Sequence, residues 1–132
     1  FITRVNYVKS TKTKDFLQVD SGFNHLLRPT LYGSHHEIIN LSNPLGKMKE
    51  YDVVGYICEK DTFAKKRKIS DTSKGDLICF KNAGAYGFNM SSNYNSRSRP
   101  AEICILDDKL FKIREPETIN DLLSGQIDIF NK

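Results

Sequence analysis

Long apolar runs are missing from this 132-residue chain, and their absence argues against a membrane-spanning helix within it. No stretch approaches the roughly 18 consecutive apolar residues that a membrane-spanning helix needs, so no membrane partner is expected. A secretory leader pattern is missing too. Cysteine is scarce and unpaired in spacing. Cys58, Cys79 and Cys104 are an odd number with no CxxC, which removes zinc spacing and argues against a disulfide framework. Reduced, cytoplasmic surroundings fit all three. Cys79, in LICF, and Cys104, in EICIL, read as small buried core residues. Cys58 differs, because it closes an apolar strand and opens into Glu59, Lys60 and Asp61. A reactive thiol would sit in such a place. No internal repeat or low-complexity segment is visible. The chain begins at Phe1 rather than Met, from which we expect a piece of a longer protein.

A broad field of positive charge is lacking as well. The net charge of +4 comes from 20 basic and 16 acidic residues. Lys65, Lys66, Arg67 and Lys68 account for all of it, since the remainder is neutral. A nucleic-acid surface spreads basic side chains over a face with aromatics between them. A single KKRK cluster reads instead as a solvated hairpin tip, and no nucleic-acid partner is expected. With 39% hydrophobic and 27% charged residues, the chain has the composition of an ordinary globular domain. Its length suffices for one real core and falls short of two comfortable ones.

What is present reads as many short strands. Ile2 to Lys9 alternates apolar and polar residues, STKTK makes a turn, and Phe16 to Asp20 is the hairpin partner. Pro29 suits the first turn of a short helix, and one helical turn places Arg28 and Tyr32 on one side. His35 and His36 are adjacent, so on a strand they point to opposite faces, and a structural role is expected rather than a metal site. Further strands run from His36 to Leu41, from Tyr51 to Cys58 with Gly55 as a close-approach point, and from Asp76 to Lys81. Residues 65–75 read as a polar loop. Ala101 to Leu106 and Leu110 to Arg114 form a hairpin around Asp107-Asp108-Lys109. Residues 117–123 make a short helix, with Thr118 and Asp121 as a capping box and Gly125 as its stop. The expected fold is mostly β, a barrel or sandwich with short helical turns.

The stretch from Asn82 to Pro100, NAGAYGFNMSSNYNSRSRP, is unusually dense in polar groups. Ala83, Gly84, Ala85 and Gly87 leave Tyr86 as the one bulky side chain of a small-residue turn, and the glycines allow positive φ or close approach to a ligand. Asn93, Tyr94, Asn95, Ser96, Arg97 and Arg99 follow.

Four separated strings carry a resemblance: VDSGFNHLLRPTLYGSHHEI, VVGYICEKD, GDLICFKNAGAYGF and SSNYNSRSRPAE. In this order they resemble the C-terminal domain of the diaminopimelate decarboxylases, over about Arg4 to Leu123. The resemblance implies a two-domain enzyme in which residues 1–132 are a single C-terminal β-domain. The N-terminal (β/α)8 barrel that binds pyridoxal 5'-phosphate, with its Schiff-base lysine and phosphate-binding glycines, would lie outside this chain, so the fragment alone should be inactive. The implied reaction is decarboxylation of meso-2,6-diaminopimelate to L-lysine, in lysine biosynthesis. Pyridoxal phosphate would act as the electron sink. Cys58 matches the family's catalytic proton donor, and Glu59 matches the residue that binds the substrate's distal ammonium. Arg28 matches the clamp on a substrate carboxylate, Tyr32 a phenol on the same substrate, and Tyr86 the tyrosine touching both cofactor and substrate. The family is a homodimer in which the Cys-Glu pair reaches into the partner's site. Asn93, Tyr94, Asn95, Arg97 and Arg99 match a signature of mainly structural role. After Cys58-Glu59 the family commonly has Ser-Gly-Asp, whereas this chain has Lys60-Asp61-Thr62, so loop shape is where it departs.

Two other readings stand beside this one. One is an ornithine or arginine decarboxylase of the same fold, whose monocarboxylate substrate offers no distal carboxylate for Arg28 to clamp. A stand-alone β-barrel binding module would use Lys65 to Lys68 and exposed tyrosines, with salt-sensitive oligonucleotide binding.

Overall fold

The computed structural model describes residues 1–130. They divide into two compact units, residues 1–91 and 92–130. In the first unit, β1 (Ile2–Ser10), β2 (Asp15–Val19), β3 (Ile38–Asn40), β4 (Met48–Val54), β5 (Thr62–Ser70) and β6 (Leu77–Phe80) form one six-stranded sheet. Its order is β3-β6-β1-β2-β4-β5. Every pairing is antiparallel except β2 with β4. The two end strands, β3 and β5, approach each other, so the sheet curls almost into a closed barrel. Closure of this kind removes exposed edges. The mostly β, barrel-like expectation holds.

The inward faces carry Leu17 and Val19 from β2, Tyr51 and Val53 from β4, Ile69 from β5 and Phe80 from β6, all nearly inaccessible. Period-two alternation puts these residues on one face of each strand. Strand β1 keeps the period only as far as Val5. Thr3 and Val5 point inward, while Ile2 and Tyr7 are exposed, and the register with β2 slips between Val5 and Tyr7. The buried Thr3 hydroxyl donates to Asp20 Oδ1, which satisfies a polar group that would otherwise be costly inside.

Two expectations need correcting here. The KKRK cluster is no hairpin tip, and residues 65–70 are no loop. Lys65, Lys66, Arg67 and Lys68 lie inside β5, paired with β4 through Tyr51↔Arg67 and Glu50↔Lys68. Strong charge masked a strand whose flanks, Phe63, Ala64 and Ile69, are buried. Cys79 and Cys104 are only half-buried, not core. Ile78 and Phe80, on either side of Cys79, take the inward positions instead. His36 is buried, and its Nδ1–H donates to the Lys81 carbonyl at 2.9 Å, which is a structural task.

The second unit holds a 3-10 turn (Tyr94–Ser96), β7 (Glu102–Leu106) paired antiparallel with β8 (Lys109–Arg114), and the helix α2 (Ile119–Leu123). The hairpin turns on Asp107 and Asp108, both at positive φ. Thr118 and Asp121 form the expected capping box, and Gly125 (φ 85°) follows the helix. Asn93 and Arg99 are tied together by Glu117. Its carboxylate accepts from the Arg99 guanidinium at 2.6 Å, the Arg99 backbone N–H at 2.7 Å and the Asn93 amide at 2.5 Å. Burial pushes the Glu117 carboxyl up, but the Arg99 and Asn93 donors outweigh it and hold the group below its ordinary value. A depressed carboxyl stabilises the fold above its unfolded-state pKa, and that contribution disappears as pH falls through the folded value. Glu117→Gln is therefore expected to weaken this unit at neutral pH and to flatten its acid sensitivity. Amide exchange of Arg99 measured between neutral and acidic pH would show this, and an unchanged acid profile would refute it.

Candidate functional site

Helix α1 (Arg28–Tyr32) begins with Pro29 in its first turn and ends on Gly33 in the left-handed region (φ 68°), whose N–H caps back to the Pro29 carbonyl at 3.0 Å. As the spacing predicts, Arg28 and Tyr32 lie one turn apart on this helix. Pro29 is buried and anchors it, while Tyr32 is 65% exposed.

Arg28 meets the tip of the small-residue turn. Its guanidinium carbon lies 5.6 Å from the centre of the Tyr86 ring, within cation–π range. Tyr86 itself is at φ 65°, and Gly84 and Gly87 are not in the left-handed region. The expectation that the glycines supply the unusual backbone is thus reversed: they give room, and the tyrosine takes the strained conformation. A non-glycine residue held there costs on the order of 1–3 kcal/mol, and such residues concentrate at functional sites. The Tyr86 side chain is 62% exposed.

Cys58 and Glu59 form the second pair. Strand β4 stops at Val54, four residues before the expected end at Cys58, and residues 55–61 fold into a closed loop. The Gly55 N–H donates to the Asp61 carbonyl at 2.9 Å, and the Asp61 N–H donates to the Glu59 carbonyl at 2.7 Å. Cys58, Glu59 and Lys60 form its exposed tip. The Cys58 thiol donates to Glu59 Oε2 at 3.3 Å, so its proton is directed at a carboxylate.

Sequence reasoning passed over the residue inside this loop. Asp61 is 5% exposed, and its carboxylate accepts from the Ile57 N–H at 2.9 Å and the Phe23 N–H at 2.8 Å. Burial, the largest influence, raises its pKa, the two backbone donors oppose this, and Glu59 adds to the rise. Asp61 packs so tightly that a Cβ on Gly55 would lie 2.0 Å from its Oδ2, and one on Gly22 2.6 Å away. Gly55 interrupts the apolar run VVGYI, and that break is the sequence signal that a close approach occurs here.

The chain matches the family described as "Pyridoxal-dependent decarboxylase, C-terminal sheet domain" over residues 1–84. Diaminopimelate decarboxylase of Methanothermobacter thermautotrophicus is 49% identical over 127 residues, covering 95% of this chain and 29% of the relative. The crystal structure of diaminopimelate decarboxylase from M. jannaschi superposes with a TM-score of 0.89 at 32% identity, over 96% of this chain and 29% of that one. The Helicobacter pylori diaminopimelate decarboxylase complexed with L-lysine gives 0.83 at 41% identity, over 92% and 30%. The chain therefore spans about 30% of the length of the relatives it matches.

Proposed function

Because the chain belongs to the pyridoxal-dependent decarboxylases, matching their C-terminal sheet domain, we propose that it is the C-terminal β-domain of a diaminopimelate decarboxylase. The full-length protein would carry the cofactor-binding barrel in its remaining length and convert meso-2,6-diaminopimelate to L-lysine. The single observation that carries this reading is the pairing of a directed thiol, Cys58 with Glu59 at 3.3 Å, on a chain 49% identical to a diaminopimelate decarboxylase over nearly its whole length.

The residues present fit pyridoxal phosphate as a contact rather than a cradle. Tyr86 offers an exposed phenol on a strained turn with open space at Gly84, beside the Arg28 guanidinium. When bound, the cofactor supplies the electron sink that holds the electron pair left as carbon dioxide departs. The chain's own residues do the rest. Arg28 pairs with a substrate carboxylate, where its planar fork gives direction as well as charge. Tyr32 and Tyr86 hydrogen-bond the bound substrate, Tyr86 also reaching the cofactor. Glu59 pairs with the distal ammonium, and Cys58 returns a proton from Sγ to the decarboxylated carbon. A substrate with a second carboxylate and a second ammonium uses all of these groups, and ornithine leaves part of them unpaired.

A homodimer with shared active sites follows from the same reading. Support comes from the β7–β8 ribbon, where Ile105 and Leu110, opposite each other, are 70% and 73% exposed. An isolated two-stranded ribbon of this kind is marginal in water, so the rest of the full-length protein or a second copy is needed to cover it. Three free cysteines suit a cytoplasmic setting.

The test is carbon-dioxide release from meso-diaminopimelate by the full-length protein with pyridoxal phosphate, wild type beside Glu59→Ala. Activity in the first and a loss on the order of 100-fold in kcat/KM in the second is expected, as for a truncated charged contact of about 3 kcal/mol. Activity on ornithine alone would keep the fold and overturn the substrate.

A further inference from the structure

We propose that Asp61 is the positioning residue of the Cys58–Glu59 loop, an inference that rests on the proposed function for the loop's role but not for its geometry. Hydrogen bonds and packing converge on the carboxylate and its surroundings. It lies within the closed loop of residues 55–61, accepting from the Ile57 N–H one residue before Cys58. Its other oxygen accepts from the Phe23 N–H, so it ties the loop to the segment that leads into α1. The Tyr56 N–H donates to the Ser21 carbonyl at 3.0 Å, a second tie between the same two segments. The carboxylate sits directly against Gly22 and Gly55, where a Cβ on either glycine would overlap it.

The physical consequence is a loop whose tip is exposed and whose base is rigid. Cys58 and Glu59 have no core of their own to pack against, since both are exposed. Their direction is set by the backbone beneath them, and two hydrogen bonds to one buried carboxylate hold that backbone. A buried charge is retained only when its lone pairs are met, and here the donors are main-chain N–H groups whose positions define the loop.

The experiment uses the full-length protein with pyridoxal phosphate. Asp61→Ala removes both acceptors, and Asp61→Asn keeps the shape and one carbonyl oxygen. For Asp61→Ala we expect kcat to fall on the order of 100-fold, as for a catalytic group displaced by about 1 Å, with KM for diaminopimelate raised and cofactor affinity unchanged. Asp61→Asn should recover part of both losses. A variant that merely folds less well lowers the active fraction and leaves KM alone, so the rise in KM separates positioning from stability. A second readout needs no activity: the rate at which iodoacetamide alkylates Cys58 should change in Asp61→Ala and move back toward wild type in Asp61→Asn. Unchanged KM and unchanged alkylation in both variants overturn the proposal. A wild type inactive on diaminopimelate overturns the function instead, and the alkylation arm still decides the role of Asp61.

Discussion

Cys58→Ala in the full-length protein is expected to lower kcat for diaminopimelate by about 10²–10⁴-fold while leaving pyridoxal phosphate affinity as it was. That range corresponds to roughly 3–5 kcal/mol of barrier. The structure makes the variant a clean one. Cys58 is exposed at the tip of its loop, and the loop is held from below by Asp61 and by the Gly55–Asp61 backbone bond. Deleting one sulfur there opens no cavity and strands no buried donor, so folding has no reason to change. Glu59 also keeps its position, so substrate binding should suffer less than turnover. Cys58→Ser sharpens the test, because a hydroxyl occupies nearly the same place but releases its proton far less readily than a thiol. It should be nearer to alanine than to wild type. Stopped assays of carbon-dioxide release, with cofactor titration followed by absorbance, measure both quantities. Turnover unchanged in Cys58→Ala would remove the thiol from the proposed step.

Much of this was legible before any coordinates. Short apolar runs between turn signals placed β2, β6, β7 and β8 nearly where they occur, and Pro29 announced the first turn of α1. The Thr118–Asp121 box was readable because it depends on local spacing alone. The failures share a cause, which is that tertiary pairing overrides local character. KKRK reads as solvated, yet β5 carries those charges as the antiparallel partner of the well-buried β4, and pairing rather than polarity decides its conformation. The alternation read over Ile2 to Lys9 holds only through Val5, because the slip between Val5 and Tyr7 resets the frame and leaves Tyr7 exposed. At the site, residue types were readable and their supports were not. Tyr86 stood out among small neighbours, whereas its positive φ did not. Asp61 looked like part of a charged loop, because the sequence shows neither its burial nor the two amides that converge on it.

Gly55→Ala tests the packing beneath the site. The new Cβ would fall 2.0 Å from Asp61 Oδ2 and 2.6 Å from the Ser21 carbonyl oxygen. The second of these is backbone, which cannot swing aside, and the first can retreat only by giving up the Ile57 and Phe23 amides. Each buried donor left unmet costs about 1–3 kcal/mol, and the overpacking adds a similar amount. A loss of about 3 kcal/mol or more in the stability of the barrel-like unit is expected, read from hydrogen exchange of β4 and β5 amides in the full-length protein. Gly84→Ala is the control, since its Cβ meets nothing within 4 Å and its backbone lies outside the left-handed region. Such a change acts mainly on the unfolded chain and should be neutral or stabilising by about 0.4–1 kcal/mol. Combining Gly55→Ala with Asp61→Ser then separates crowding from lost hydrogen bonds. If the clash with the carboxylate dominates, the double variant is less destabilised than the two single losses added together, because residues in contact couple. Strict additivity would place the strain at the Ser21 carbonyl, and wild-type exchange in Gly55→Ala would refute the tight approach altogether.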